Sequence, residues 1–240
     1  METLYLVVPM VMFVAALCRA TFGFGDALVA MPLLLLVLPP TSAAAIVAIL
    51  GLALGLVMLA RQWREVDWAA TRRLLVAALF GVPVGLAMVA IAPERTIKLA
   101  LGVAIMCYAA YSLAGWALPR AERARWAYLF GFMSGTFGAA YNFSGPPVVL
   151  YGSLKGWTPE QFRTSLQGFF APIGVVIVAS HAASGYWTPT TLKLTALAAP
   201  AMALGMLTGA LLQRMFDAAR FRDGLNMLLL ALGGMLVFGG

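Results

Sequence analysis

The stretch 19-RATFGFGDALVAMPLLLL-36 sets Arg19 and Asp26, each costly in hydrocarbon, beside Gly23 and Gly25 inside an apolar run that extends from residue 4 to residue 38. As one helix that run would be about 52 Å long at 1.5 Å per residue, well beyond the roughly 30 Å of a bilayer core. It has to break. The break belongs at Thr21 to Gly25, where two glycines and a polar residue cluster. Asp26 is then placed to cap a second helix that runs to about Leu38.

The rest of the chain dictates the solvent around this break. Of 240 residues, 62% are apolar and 10% charged, and the mean hydropathy is +0.92, too little polar surface to coat a water-soluble globule. Apolar windows at about 41–60, 74–92, 96–116, 160–182, 192–212 and 221–239 each approach the length of a transmembrane helix. An open sheet would leave backbone groups unpaired in lipid, so the expected fold is an all-α integral membrane protein. The first segment lacks a basic start and a small residue before Cys18, and is read as retained rather than cleaved. The net charge of +7 sits in short loops between apolar spans, which fits a membrane surface and not nucleic acid. Two cysteines, Cys18 and Cys107, and the single histidine His181 supply neither a disulfide framework nor a metal ligand set. No cofactor is expected, and no Walker motif is present for ATP.

The chain repeats itself. Thr21-Phe22-Gly23 recurs 115 residues later as Thr136-Phe137-Gly138, the same offset carries Pro32 onto Pro147, and Gly81-x-x-x-Gly85 is matched by Gly205-x-x-x-Gly209. Two halves follow, 1–118 and 119–240, each a broken or re-entrant helix pair (4–38 and about 126–155) followed by three spans. The second break falls in 138-GAAYNFSGPP-147. Pro146 and Pro147 fit the first turn of a new helix, capped by Asn142 or Ser144.

Because each broken pair returns the chain to its starting side, the charges can be counted by side. Loops 61–73, 117–125, 155–163 and 213–222 hold twelve of the sixteen Lys and Arg residues, against Arg95, Lys98 and Lys193 opposite and Arg19 within the membrane. The positive-inside rule puts those four loops in the cytoplasm and both termini outside it. The halves are then inverted in topology, the pattern of secondary transporters that bind substrate where two interruptions meet.

The candidate site follows from the breaks. Two helix N-termini aim N–H groups and positive dipole ends inward, and Arg19 adds a planar fork suited to carboxylate, sulfonate or phosphate oxygens. The expected partner is a small anionic substrate, surrounded by membrane lipid; oligomeric state is not legible. The structural alternative for Arg19 is an ion pair with Asp26 that only secures the fold. Asp26, the carboxylate at depth, is the candidate for proton coupling, with capping as its alternative. Thr21, Gly23 and Gly25 at the first break, Tyr141, Asn142, Ser144, Gly145 and Pro146 at the second, and Tyr151 and Gln167 on neighbouring segments complete the candidate substrate-binding set. His181 is a further polar residue near a span end. An intramembrane thiol-disulfide carrier using Cys18 and Cys107, and a passive anion channel, are the competing functions.

The motifs G-F-G-x-x-L-V-A-M-P-L-L at 23–34, S-G-P-P-V-V-L-Y at 144–151, 158-TPEQFR-163 and the paired GxxxG helices resemble the TauE/SafE sulfite exporter family over nearly the whole chain. The resemblance implies a bacterial inner-membrane carrier of two related halves that moves small sulfur-containing anions such as sulfite, sulfoacetate or other organosulfonates, often outward. By position it implies substrate contacts on Gly23, Gly25, Asp26, Asn142, Ser144, Gly145 and Pro146. Where that family carries further glycines after Gly-Phe-Gly, this chain has Asp26-Ala27.

Overall fold

A computed structural model of the chain describes residues 2–115, 123–212 and 218–238. Among them there are ten α-helices and no strand: α1 (Glu2–Phe22), α2 (Asp26–Leu34), α3 (Pro40–Gln62), α4 (Trp68–Ile91), α5 (Glu94–Ala114), α6 (Ala124–Tyr141), α7 (Gly145–Lys155), α8 (Pro159–Ala183), α9 (Pro189–Leu212) and α10 (Ala218–Phe238). Six of them are long and apolar enough to cross a membrane. Large apolar side chains stand on the outside of the bundle, Ile91 at 84% exposure and Phe80 at 71%, an arrangement that only lipid tolerates. The repeat boundary expected at 118/119 and residues 213–217 of the loop at 213–222 lie outside the described residues.

Both long apolar runs break where helix-hostile residues cluster. Between α1 and α2, Gly23 (φ +85°) and Gly25 (φ +102°) take left-handed conformations closed to ordinary side chains, and the chain reverses within three residues. Between α6 and α7 the left-handed position is Asn142 (φ 54°). The return arms are short: α2 has 9 residues and α7 has 11, about 14 and 17 Å, so neither crosses a bilayer.

Several local expectations change. Asp26 is the first residue of α2 and its carboxylate does not cap; Gly25 occupies the cap position without a side-chain bond. The helix ends at Leu34 instead of Leu38, and the following turns close it, with the Leu36 amide donating to the Leu33 carbonyl and the Val37 and Leu38 amides to the Leu34 carbonyl. Asn142 ends α6 rather than starting α7, and its Nδ2 donates to the Ala44 carbonyl at 2.6 Å. Ser144 holds the α7 cap position but makes no side-chain cap bond. The span expected from residue 74 begins at Trp68, since Asp67 accepts from the Ala70 amide and Arg72 and Arg73 remain exposed on the first turns.

Packing pairs α1 with α9, α4 with α6, α3 with α8 and α5 with α10. Glycine sets the first two. A methyl on Gly205 or Gly209 would strike the Phe13 or Leu17 carbonyl of α1, and one on Gly81 or Gly85 would strike Phe132 or Thr136 of α6. Gly131 and Gly135 of α6 return the contact onto the Leu74 and Ala78 carbonyls. The two ends of the bundle are fixed by polar contacts. At one end the turn Trp63–Glu65 and Asp67 meet the start of α8, where Trp157 Nε1 donates to Asp67 Oδ2 and Thr164 Oγ1 to the Glu65 carbonyl. At the other, Thr191 bonds Ser42 and Lys193 bonds Tyr5.

Candidate functional site

Arg19 lies three residues from the end of α1 and is 3% exposed. A guanidinium that dry needs its donors matched. Nη1 donates to Asp26 Oδ2 at 2.6 Å and to the Gly51 carbonyl at 3.0 Å; Nη2 donates to Gln167 Oε1 at 2.9 Å; the Phe170 ring covers the plane at 5.3 Å from its centroid. Nε keeps an N–H with no partner. Glycine makes the room: a methyl on Gly55 would lie 2.9 Å from Nη2, and one on Gly51 3.1 Å from Asp26 Oδ2.

The fourth side of this cluster is open to a cavity of about 60 Å³, space for a few waters or a small anionic head group. Both breaks form its walls. Gly25 and Asp26 stand on one side, Asn142, Ser144, Gly145 and Pro146 on the other, with the middle of α3 and of α8 between them. The breaks touch directly, since the Phe24 ring comes within 3.7 Å of the place where a side chain on Gly145 would begin. Along α3 the two meet it at Gly51 and Ala44, about 10 Å apart.

The helix N-termini at the cavity are unequal. In α2 the first backbone bond runs from Val29 to the Gly25 carbonyl, so the amides of Asp26, Ala27 and Leu28 precede any intrahelical partner. In α7 the corresponding positions after Gly145 are Pro146 and Pro147, which have no N–H. The second break therefore contributes shape, the Ser144 and Asn142 side chains and the Gly145 amide, and the donor-rich face belongs to the first. Ser144 is itself held, its carbonyl accepting from Ser134 Oγ at 2.6 Å.

Seven candidate residues thus line the cavity, Arg19, Gly25, Asp26, Asn142, Ser144, Gly145 and Pro146. Gln167 and Gly23 stand just behind Arg19, joined to each other by a hydrogen bond from Gln167 Nε2 to the Gly23 carbonyl. The others are turned elsewhere. Thr21 Oγ1 donates to the Leu17 carbonyl of its own helix, Tyr141 is buried in the apolar core, and Tyr151 packs edge-on against Trp157 with centroids 5.6 Å apart. His181 bonds the Ala139 carbonyl through Nε2 at 3.0 Å. Both cysteines are free thiols, Cys18 buried and Cys107 exposed. Sequence reasoning missed Gly51, Gly55 and Phe170. The first two carried a signal, a GxxxG spacing at 51-GLALG-55 like those singled out in α4 and α9. Phe170 carried none.

A multi-pass helical bundle with a buried, charged, cavity-facing cluster at two interrupted helices has the build of a membrane transport protein. The chain belongs to the sulfite exporter TauE/SafE family, whose sequence profile matches residues 8–236, nearly its whole length. Membership makes it a transporter-family protein for sulfur anions rather than a member of an enzyme family. No curated protein and no solved structure matches the chain.

Proposed function

We propose that the protein is a secondary transporter of small sulfur oxoanions, with sulfite and short organosulfonates such as sulfoacetate as substrates, working by alternating access around the Arg19 cavity. The observation that carries this reading is the unpartnered Nε–H of Arg19 beside a cavity walled by both helix breaks. An arginine that served only the fold would have its donors matched, whereas this one keeps a donor for a ligand oxygen. The head group sits against Arg19 and the α2 amides, with Asn142, Ser144 and Gly145 closing over it.

Asp26 sets the condition for binding. Its carboxylate already holds Arg19, so an arriving anion competes with it, and protonating Asp26 leaves Arg19 free to hold the substrate. On this reading one proton moves with the anion, so a singly charged substrate crosses with no net charge, and only the remaining charge of a dianion is driven outward by the membrane potential, by about 2.3 kcal/mol per 100 mV.

The exchange of partners supports an inverted repeat of halves 1–118 and 119–240. The opening helix of each half packs on the fourth helix of the other, α1 on α9 and α6 on α4, as a two-fold axis in the membrane plane would arrange them. The basic loops at one end of the bundle support placing that end in the cytoplasm of a bacterial inner membrane.

Thermal-shift titration of the purified protein with sulfite, sulfoacetate, sulfate and small carboxylates tests the substrate class, and proteoliposome flux tests the mechanism. Stabilisation by sulfite or sulfoacetate together with saturable counterflow is expected. Stabilisation by carboxylates alone would reassign the substrate, and ohmic flux at channel rates would make the protein a pore.

A further inference from the structure

We propose that Gln167 couples anion binding to movement of the first break, with Phe24 as the plug that moves. The proposal rests on the anion site described above and assigns it a gate.

Gln167 is 1% exposed and uses both ends of its amide between elements. Its Oε1 accepts from Arg19 Nη2, and its Nε2 donates to the Gly23 carbonyl. The same residue therefore touches the anion-binding fork and the hinge. Gly23 and Gly25 hold left-handed conformations on either side of Phe24, and nothing lies within 4 Å of where a side chain on Gly25 would begin. Gly23 lies against Arg163, with 3.2 Å from its Cβ position to Cγ, so the room for movement in this joint is on the Gly25 side. Besides Gln167, α8 holds this joint through Arg163, whose Nη2 donates to the Ala20 carbonyl at 3.3 Å, one helical turn away along α8.

Phe24 stands on a wall. Its ring approaches Gly145, which lines the anion cavity, and it lines a second, apolar cavity of about 40 Å³ with Phe22, Tyr108 and Leu229. The two cavities share Gly25 and Leu28. Edge-on contacts to Tyr108 and Phe162, each with centroids 6.3 Å apart, keep the ring in place. From Phe162 a chain of ring contacts continues through Trp157 to Tyr151, toward the end of the bundle that holds the turn Trp63–Glu65. Moving the break that carries Phe24 together with Gly25, which lines both, joins the two cavities.

The trigger is a pull on one fork. A sulfur oxoanion engages arginine with two oxygens, and the edge that still has an unpartnered donor pairs Nε–H with Nη2. Nη2 has two N–H groups and Gln167 accepts from one of them, so an anion on that edge and Gln167 draw on the same nitrogen. A fork turned onto the anion lengthens the Nη2–Gln167 bond, and the Gly23 carbonyl loses a fixed donor. Binding then loosens the break next to the ligand, the opposite of the protection that a ligand ordinarily confers.

Hydrogen exchange read by mass spectrometry on the intact detergent-purified protein tests this, with sulfite as the probe and its binding measured separately by thermal shift. In the wild type, sulfite is expected to speed exchange over residues 20–25 by about five- to ten-fold, the effect of one lost hydrogen bond, while the anion-bound amides of Asp26, Ala27 and Leu28 slow. Gln167→Glu keeps an acceptor for Arg19 but sets a carboxylate against the Gly23 carbonyl, so its exchange over 20–25 should already be raised without sulfite and rise no further with it. Gln167→Leu should match it. Sulfite binding with slowed exchange over 20–25 overturns the latch and leaves the anion site standing. Variants that exchange like the wild type in the absence of sulfite overturn it as well. A wild type with no thermal shift and no exchange change anywhere overturns the anion site itself, and the latch with it.

Discussion

Arg19 and Asp26 are 3% and 7% exposed, so truncating either leaves the other charged and dry. Arg19→Ala should therefore cost about 3 to 5 kcal/mol of stability on top of any loss of binding, which makes the single variant ambiguous. The pair variant Arg19→Leu, Asp26→Leu resolves it: apolar replacement of both partners should recover most of that stability, as thermal denaturation would measure, while sulfite stabilisation stays absent. Sulfite stabilisation surviving in the pair variant would count against the cavity. Gly55→Ala probes the same fork without removing charge. Alanine is about 1 kcal/mol better than glycine in a helix interior, yet its methyl would press on Nη2. Weakened sulfite affinity, about ten-fold, with unchanged or higher thermal stability is expected; equal affinity would mean Arg19 has slack. At this scale the sequence exposed the charges and hid their partners. Arg19 and Asp26 stood out as lone ionisable groups in an apolar run, but Gln167 is 148 positions from Arg19, and only the tertiary fold, which brings it to the end of α1, selects it among the polar residues. Phe170 looked like any other core phenylalanine.

Helix breaks were legible because they are local, and caps were not because polar side chains near a break have rival uses. The Gly23-Phe24-Gly25 turn sits inside the Thr21 to Gly25 segment expected from composition, and Pro146 and Pro147 open α7 as their missing N–H groups allow. Asn142, Ser144 and Asp26 each had the chemistry of an N-cap: Asn142 is drawn to a left-handed C-cap with a bond to α3, Asp26 to the Arg19 ion pair, and Ser144 takes the α7 cap position without a side-chain cap bond. Asn142 can be tested as an element boundary. Asn142→Gly keeps the left-handed conformation and loses the Ala44 bond, whereas Asn142→Ala loses both. The alanine variant should be less stable than the glycine variant by about 1 to 2 kcal/mol in thermal denaturation. Were Asn142 instead capping α7, Asn142→Ser would be the best tolerated of the three.

For the whole molecule, the pairing of halves and the sidedness of the bundle depend on each other. A helix count alone gives parity, but contacts fix which loops share an end: Asp67 with Trp157 at one, Ser42 with Thr191 and Tyr5 with Lys193 at the other. The end with Asp67 also carries Arg61, Arg64, Arg72, Arg73 and Lys155, and the other carries Arg95, Lys98 and Lys193. Positively charged loops resist translocation, so the first end should face the cytoplasm. Single cysteines in a Cys18→Ser, Cys107→Ser background read this directly, because Glu160 and Ser184 are exposed at opposite ends of α8. In intact spheroplasts a membrane-impermeant maleimide should label Ser184→Cys and leave Glu160→Cys unlabelled until the membrane is opened. The reverse pattern would place the α8 start outside and turn the export argument around, because the first break, which lies closer to that end through Arg163, would then face the external solution. Equal labelling of both sites in intact spheroplasts would show a dual insertion, and the charge asymmetry would then be too weak to orient the bundle.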